Sequence, residues 1–426
     1  MPPAPASAFP RLPGCESLEG KAPAPASAFP RVAHIITGLG GGGAERFLTA
    51  LLPRLAPPEE TAVWSIQRPG INAPRLEEAG YAPLTLGARR GWPPSPWAWW
   101  RLRRWLGQWK PDVLCGWMYH GNLAATLAAA GRSSAAGPRR GAGLVWCIHQ
   151  TPAGAAREKW LTRRVIGWGR RHSGRPDAIV YVSEASRSLH REMGYDDRRS
   201  HVARNGFDLG QYVPAQAARR LEARRALGLP EDARVIFRAA RLDPMKDYPT
   251  LLDAFALAAG RVPDAWLVLA GEGVEQENSA FSAWRKRHPE AASRVRWLGW
   301  RDDLPALLHA ADVAVSSSAM KEAFPLALGE AMACGVPCVA TDVGDSAALV
   351  GAAGRVAPPG DPERLADALV EVLRLPEGER RALGARARRR VEEMFSIERA
   401  AERYREIFIA AAGRPLSAAC FDGATT

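Results

Sequence analysis

Glu322 and Glu330 are separated by seven residues inside SSAMKEAFPLALGEAMACGVPCVATDVG, which runs from Ser317 to Gly344. Pro325 suits the first turn of a helix and Gly335 its C-terminal cap, so Glu322 falls in the loop before the helix and Glu330 two turns into it. The two carboxylates then serve different places. Glu322 can accept hydrogen bonds from hydroxyls near the helix start, and Glu330 can clamp a cis-diol such as a ribose. The free N–H groups around Phe324, Pro325 and Leu326, Pro325 itself having none, can hold an anion. The same spacing also fits a plain helix with one capping and one exposed glutamate.

Arg241 and Lys246 stand in ARLDPMKD, at a strand end and in the loop after it, where a doubly wound sheet binds ligands. A guanidinium fork and an ammonium point charge can meet a diphosphate there; a pair of ordinary surface cations is the alternative. In GLGGGG, Gly38, Gly40 and Gly43 satisfy G-x-G-x-x-G, the weak fingerprint of a dinucleotide site. TAVWSIQRPG offers Gln67 and Arg68 where that site wants an acid, so only an NADP reading survives. A loop with Gly42 and Gly43 at a helix start also suits a diphosphate or a phosphorylated acceptor. His120 in CGWMYHGNL and His149 in CIHQT each follow a strand, although a lone histidine is usually structural.

These residues need a scaffold of some size. At 426 residues, 47% apolar and with 15 Trp, the chain is globular and long enough for two α/β domains of roughly 200 residues. The first thirty residues repeat PAPASAFPR at Pro3–Arg11 and Pro23–Arg31; such Ala/Pro/Ser-rich sequence buries too little apolar area to order, and residues 1–30 read as a disordered tail. From Arg31 the pattern becomes strand, glycine turn and helix, followed by strand-like runs TAVWSIQ, DVLCGWM, GLVWCIH and AIVYVS. A polar Ala/Arg-rich connection follows RNGFD. A second series then begins: RVIFRAARL, WLVLAGEG, VRWLGW, DVAVSSS and PCVATDVG, alternating with helical YPTLLDAFALAAG, LPALLHAA and PLALGEAMA. Such alternation implies two parallel sheets covered by helices on both faces, with a cleft between two facing domains. The end of the chain, dense in helix formers and opposite charges three or four apart, implies one or two long helices.

Charge is uneven along the chain. Between Arg89 and Arg204 there are 21 Lys plus Arg against 7 Asp plus Glu, a surplus of 14, while the remainder sums to −2. An anionic partner follows: nucleic acid, a phospholipid surface or a phosphorylated substrate. Within this stretch Trp97, Trp99, Trp100, Trp105 and Trp109 interleave with Arg101, Arg103, Arg104 and Lys110, the make-up of a helix lying at a membrane surface, or of one whose Trp face packs on the sheet. No apolar window reaches the roughly 18 residues of a span and no signal pattern opens the chain, which points to the cytoplasm. Cys15, Cys115, Cys147, Cys334, Cys338 and Cys420 form no CxxC pair and have no His at zinc-ligand spacing, so they read as reduced thiols.

Glu, seven residues, Glu, followed by AMACGVPCVATDVG, resembles the donor-site motif of retaining GT-B glycosyltransferases of the group 1 or family 4 type. HIITGLGGGGAERF, VARNGFD, ARLDPMKDYPTLLDAF and LAGEG resemble the same family in the same order, over roughly residues 31 to 400. The resemblance implies a GT-B fold of two Rossmann-like domains: an acceptor-side domain over 31–207, a linker over 208–230, a nucleotide-sugar-binding domain over 231–390 and a C-terminal helix and tail over 391–426. It implies transfer of a hexose from a UDP- or GDP-linked donor to a saccharide or lipid-linked acceptor in cell-surface polysaccharide or glycolipid synthesis, with the donor's anomeric configuration kept.

Under this resemblance Arg241, Lys246 and the helix after Glu322 stabilise the leaving diphosphate, Glu330 holds the ribose, and Glu322 with His120 orients the sugar. Gly271, Gly273 and Trp300, which follows Gly299, border the base. No Asp-x-Asp occurs, so the metal-chelating carboxylates of the other major sugar-transferase fold are missing and neither a metal nor a cofactor is expected. No G-x-S-x-G elbow or P-loop occurs either. Ala323 stands where the family often has Gly, and VGDSA replaces its usual Gly-Gly turn; Asp345 there can contact the sugar or begin the next helix as its cap. The rival readings are a sugar-nucleotide epimerase of the same architecture, an NADP-binding protein and a nucleic-acid binder.

Overall fold

The computed structural model describes residues 29–130, 141–152, 160–320 and 322–414. The expected tail up to residue 28, with Cys15, and the end of the chain with Cys420 lie outside the described residues.

Thirteen strands form two sheets among the described residues. The first holds β1 (Val32–Ile36), β2 (Thr61–Gln67), β3 (Leu84–Ala88), β4 (Val113–Trp117), β5 (Gly143–Ile148), β6 (Ala178–Tyr181) and β7 (Ser200–Val202), in the order β3-β2-β1-β4-β5-β6-β7. The second holds β8 (Arg234–Ala239), β9 (Ala265–Ala270), β10 (Val295–Trp297), β11 (Val313–Ser316), β12 (Cys338–Thr341) and β13 (Gly354–Ala357), in the order β10-β9-β8-β11-β12-β13. The registered pairs are parallel, as in β1 with β4 and β8 with β11. The strand-like runs named above all carry strands; β3, β7 and β13 are short and were not evident from apolar pattern.

In the second sheet successive residues serve opposite faces, as the pleat requires. Val235, Phe237, Val268, Ala270, Ala314, Cys338 and Ala340 join one core with residues of the helices Leu326–Ala333 and Glu377–Met394. Ile236, Leu267, Leu269, Val313, Val315 and Val339 join the other with the helices Tyr248–Arg261 and Pro362–Arg374. Both faces are therefore dry, which explains the continuous apolar runs of these strands. At about 25 cal/mol per Å² of apolar area, two such cores supply the main term holding the sheet together.

The chain divides into two compact units: residues up to Val145 together with those from Arg405 onward, and Trp146–Tyr404. In the first, β1 and β4 are buried along their whole length, and the helix Met118–Ala129 lies so close to β1 that a Cβ on Gly121 would overlap the carbonyl oxygen of Ile35. From Arg405 on, the helix Ile397–Ala411 packs in this unit: Phe408 meets His34 at 5.6 Å between ring centroids, and Arg405 donates to the carbonyl of Arg54 at 2.9 Å. In the second unit the buried Asp312 carboxylate holds Arg220, Arg224 and Arg380 together at 2.6, 2.7 and 3.0 Å.

Candidate functional site

In the six-stranded sheet the strand order reverses direction between β8 and β11, and the crevice at the carboxyl ends of such neighbours is where open α/β sheets bind ligands. The loop after β8 carries Arg241 and Lys246, and the loop after β11 carries Ser317, Ser318 and Glu322. Asp243 accepts from the Met245 N–H at 2.9 Å and so caps the short turn Pro244–Lys246. This turn carries Lys246 across the gap between the strands, where its Nζ pairs with Glu322 Oε2. Ser318 Oγ donates to the same oxygen at 2.9 Å. Thr341 Oγ1, at the end of β12, donates to the Ser318 carbonyl at 2.6 Å and fixes the serine loop from the other side.

Burial alone would raise the pKa of Glu322, but Lys246, Ser318 and Arg238 outweigh it and hold the carboxyl below its ordinary value. Arg238 itself is 3% exposed in β8; it donates to the carbonyls of Val315 at 3.1 Å and Lys246 at 3.2 Å. Ser317 Oγ donates to that Lys246 carbonyl at 2.9 Å, so the backbone of the lysine turn is gripped from both strands. Arg241, by contrast, is exposed, with its guanidinium on Asp243 at 3.0 Å.

Behind Glu322, the loop Val343–Gly344 after β12 presses on its backbone: Gly344 has φ +62°, and a Cβ there would overlap the Glu322 carbonyl oxygen. The helix begins at Leu326 with Pro325 as its N-cap, one residue later than the expectation that put Pro325 in the first turn. Glu330 is in consequence only a little over one turn in, and it is buried. The N–H groups of Leu326 and Ala327 have no intrahelical acceptor, as at any helix start. Phe324 turns its ring inward, stacked on Phe207 at 6.1 Å. The helix closes with Gly335 at φ +70°, its N–H on the Met332 carbonyl and that of Val336 on Ala331, a Schellman cap.

Gly271 and Trp300 come together at the ends of β9 and β10: the Gly271 N–H donates to the Gly299 carbonyl at 2.6 Å, and Trp300 is exposed beside it. Gly273 follows with φ +80°. Asp345 stands at the N-cap position of Ser346–Val350, yet its side chain caps nothing in that helix. It accepts instead from the Ala185 N–H at 3.2 Å and pairs with Arg204 at 3.4 Å. His149 is buried, and its Nε2 shares a hydrogen bond with the Tyr404 hydroxyl at 3.0 Å.

The other sheet reverses between β1 and β4, and there the glycine loop and His120 are found. Gly42 is the N-cap of Gly43–Leu55; the loop is held by Asn72, whose N–H donates to the Leu39 carbonyl at 3.0 Å and whose side-chain amide donates to Gly40. Met118, read above as strand, begins a helix with φ +65°, so His120 is the third residue of that helix, half-buried, its pKa lowered by burial. The helix Pro96–Trp109 divides its tryptophans: Trp105 packs inward on Trp64 and Trp109, with the Arg31 guanidinium over Trp109, while Trp97 and Trp100 are exposed under Arg101 and Arg104.

Sequence reasoning missed Arg238, Ser317, Ser318 and Thr341. A polar or charged residue within the apolar run RVIFRAARL was the one available signal for Arg238.

Among the described residues no group of His, Cys, Asp and Glu could hold a metal ion, and no helix is long and apolar enough to cross a membrane. Residues 219–390 match the family Glycosyl transferases group 1 and residues 41–211 match Glycosyltransferase Family 4. The N-acetyl-alpha-D-glucosaminyl L-malate synthase of Bacillus anthracis is 32% identical over 189 residues, 44% of this chain and 48% of the relative. The GDP-mannose-dependent monoacylated alpha-(1-6)-phosphatidylinositol monomannoside mannosyltransferase of Corynebacterium glutamicum is 29% identical over 57% of this chain and 67% of its own. This chain thus spans about half to two thirds of the length of such curated relatives. Among solved structures, Anabaena HepE in complex with UDP superposes with a TM-score of 0.75 at 20% identity, covering 89% of this chain and 100% of that one. With one family matched on each side of residue 215 and the parallel sheets of the fold on the page, the chain belongs to the GT-B glycosyltransferases of group 1 and family 4.

Proposed function

We propose that this chain transfers a hexose from a nucleoside-diphosphate sugar to a saccharide or lipid-linked acceptor, keeping the anomeric configuration and using no metal. The observation that carries this reading is the Lys246–Glu322 pair, braced by Ser318, at the switch point of the six-stranded sheet and one loop before a helix start. In this reading Lys246, Arg241 and the first N–H groups after Phe324 and Pro325, Leu326 above all, take the diphosphate and stabilise the charge that grows on it as the glycosidic bond breaks. Glu322 positions the sugar, Glu330 the ribose, and Gly271, Gly273 and Trp300 border the base. His120, whose imidazole burial keeps neutral, serves as a hydrogen-bonding group toward the sugar, and Gly42 and Gly43 serve a phosphate.

UDP or GDP is the proposed base carrier: HepE is a complex with UDP, and the mannosyltransferase relative is GDP-mannose-dependent by name. That relative's phosphatidylinositol monomannoside supports a lipid-linked acceptor, and Trp97 and Trp100 with their arginines support contact with the cytoplasmic face of a membrane. The domain roles follow the expected limits, acceptor side over 31–207 and donor side over 231–390.

The testing experiment is a metal-free thermal-shift series with UDP, GDP, ADP and their common sugars. A ligand at 100 times its Kd adds about 2.7 kcal/mol of stability. A shift with one diphosphate and its sugars is the expected result; no shift with any of them overturns the reading.

A further inference from the structure

Arg238 is a guanidinium without a carboxylate of its own. It is buried in the core of the β8 strand, and its hydrogen bonds among the described residues go to two carbonyls, Val315 and Lys246, while its Nε has no partner there. Burying an unpaired cation is costly, and such a group persists where some nearby charge offsets it. The groups that act on it electrostatically are the Tyr248 hydroxyl, Glu322 and Asp247. Tyr248 has its pKa raised to about 12 by burial and stays neutral. Asp247 is committed to its own helix, accepting from the Thr250 hydroxyl at 2.7 Å. Glu322 is left as the anion that Arg238 faces, though no direct hydrogen bond joins them.

Glu322 at the same time holds Lys246, the cation that the proposed function assigns to the ligand's diphosphate. Lys246 cannot satisfy both with one short contact each. A diphosphate that draws Nζ away leaves a buried carboxylate with Ser318 as its remaining hydrogen-bond donor, and burial then favours the neutral acid. A protonated Glu322 would be a different group toward a sugar, donor rather than pure acceptor.

Resting on that functional reading, we propose that Arg238 is a positioning residue, the standing counter-charge that keeps Glu322 ionised when the diphosphate takes Lys246. The lysine is then free to move between carboxylate and phosphate without a proton crossing into the site. Because Arg238 also donates to the Lys246 carbonyl, the same guanidinium anchors the turn about which the lysine side chain swings.

Calorimetric titration of UDP into the full chain, in buffers of different ionisation enthalpy at pH 6.5, counts the protons taken up on binding. The ligand's own phosphate contributes equally to every variant, so differences report the protein. Wild type and Glu322→Gln should take up the same number; an excess in wild type overturns the proposal, and this comparison needs no change at Arg238. Arg238→Gln should take up a further fraction of a proton, approaching one, and its affinity should rise as pH falls by up to about tenfold per unit. The double variant Arg238→Gln with Glu322→Gln should lose that extra proton. A wild-type proton count in Arg238→Gln sinks the inference alone, whereas failure of wild type to bind either UDP or GDP removes the donor site and this inference with it.

Discussion

Lys246 offers its charge through a single ammonium on a flexible stem, and its removal should act on the ligand more than on the fold. A charge-assisted hydrogen bond contributes about 1.5–3 kcal/mol, so Lys246→Ala should weaken UDP binding by roughly tenfold to a hundredfold in titration calorimetry. An affinity within twofold of wild type would remove the lysine from the site. Asp345 invites the opposite expectation, because its carboxylate is spent on Arg204 and the Ala185 N–H rather than on a ligand. Asp345→Ala should cost about 1–3 kcal/mol in denaturant unfolding and leave UDP affinity within about twofold; a large affinity loss with unchanged stability would make Asp345 a ligand contact. The two cases show what spacing alone conveys. Glu322, Glu330 and Lys246 could be singled out because acids and cations at a strand end or helix start have few structural uses. The partners of Asp345 lie about 140 to 160 positions earlier in the chain, and the grip of Ser317 on the lysine turn spans 71. No local pattern encodes such pairings; they exist only once β8, β11 and β12 are side by side.

At the scale of elements, strands buried on both faces were legible as apolar runs, while β3, β7 and β13 lacked enough apolar length to stand out from loops. The loops that join the strands do the positioning, and glycine is where they are most exacting. Gly344 combines a left-handed backbone with contact against Glu322, so Gly344→Ala should both strain the turn and push Glu322 out of place. Gly360 has φ +71° and open space around it, which makes Gly360→Ala a matched control costing about 1–2 kcal/mol for the backbone alone. Thermal melts with and without UDP separate them: both variants lose stability, but the UDP-induced shift should shrink in Gly344→Ala only. An equal shift in the two would mean the loop does not set the position of Glu322. The helix Pro96–Trp109 carries its outward tryptophans on the face away from Trp105. Trp97→Ala with Trp100→Ala should therefore leave the melting curve near that of wild type and reduce sedimentation with anionic phospholipid vesicles by about tenfold or more. Undiminished sedimentation would assign those rings no part in membrane contact.

For the whole molecule, three buried histidines tie stability to pH. Burial pushes His34 and His149 down to about 3 and His190 to about 4, against an ordinary value of 6.5. The physical reason is clearest at His34, whose Nδ1 accepts the Trp117 indole N–H at 3.0 Å: a proton on that nitrogen would set two donors against each other inside the core. Above pH 6.5 each histidine is neutral in both folded and unfolded chain, and stability is unaffected. Below it the unfolded chain binds protons that the folded chain refuses, so stability falls as pH drops from 6.5 toward 4, at about 1.4 kcal/mol per unit for each histidine. His34 belongs to the unit that ends at Val145, whereas His149 and His190 belong to the unit Trp146–Tyr404, which should therefore lose stability about twice as steeply. Denaturant unfolding at pH 7, 6 and 5, followed by hydrogen exchange resolved along the chain, measures the two slopes. Replacing His34 by Gln should flatten the first slope and leave the second untouched. Stability that holds constant from pH 7 to 5 would mean that these imidazoles take up protons inside the folded chain.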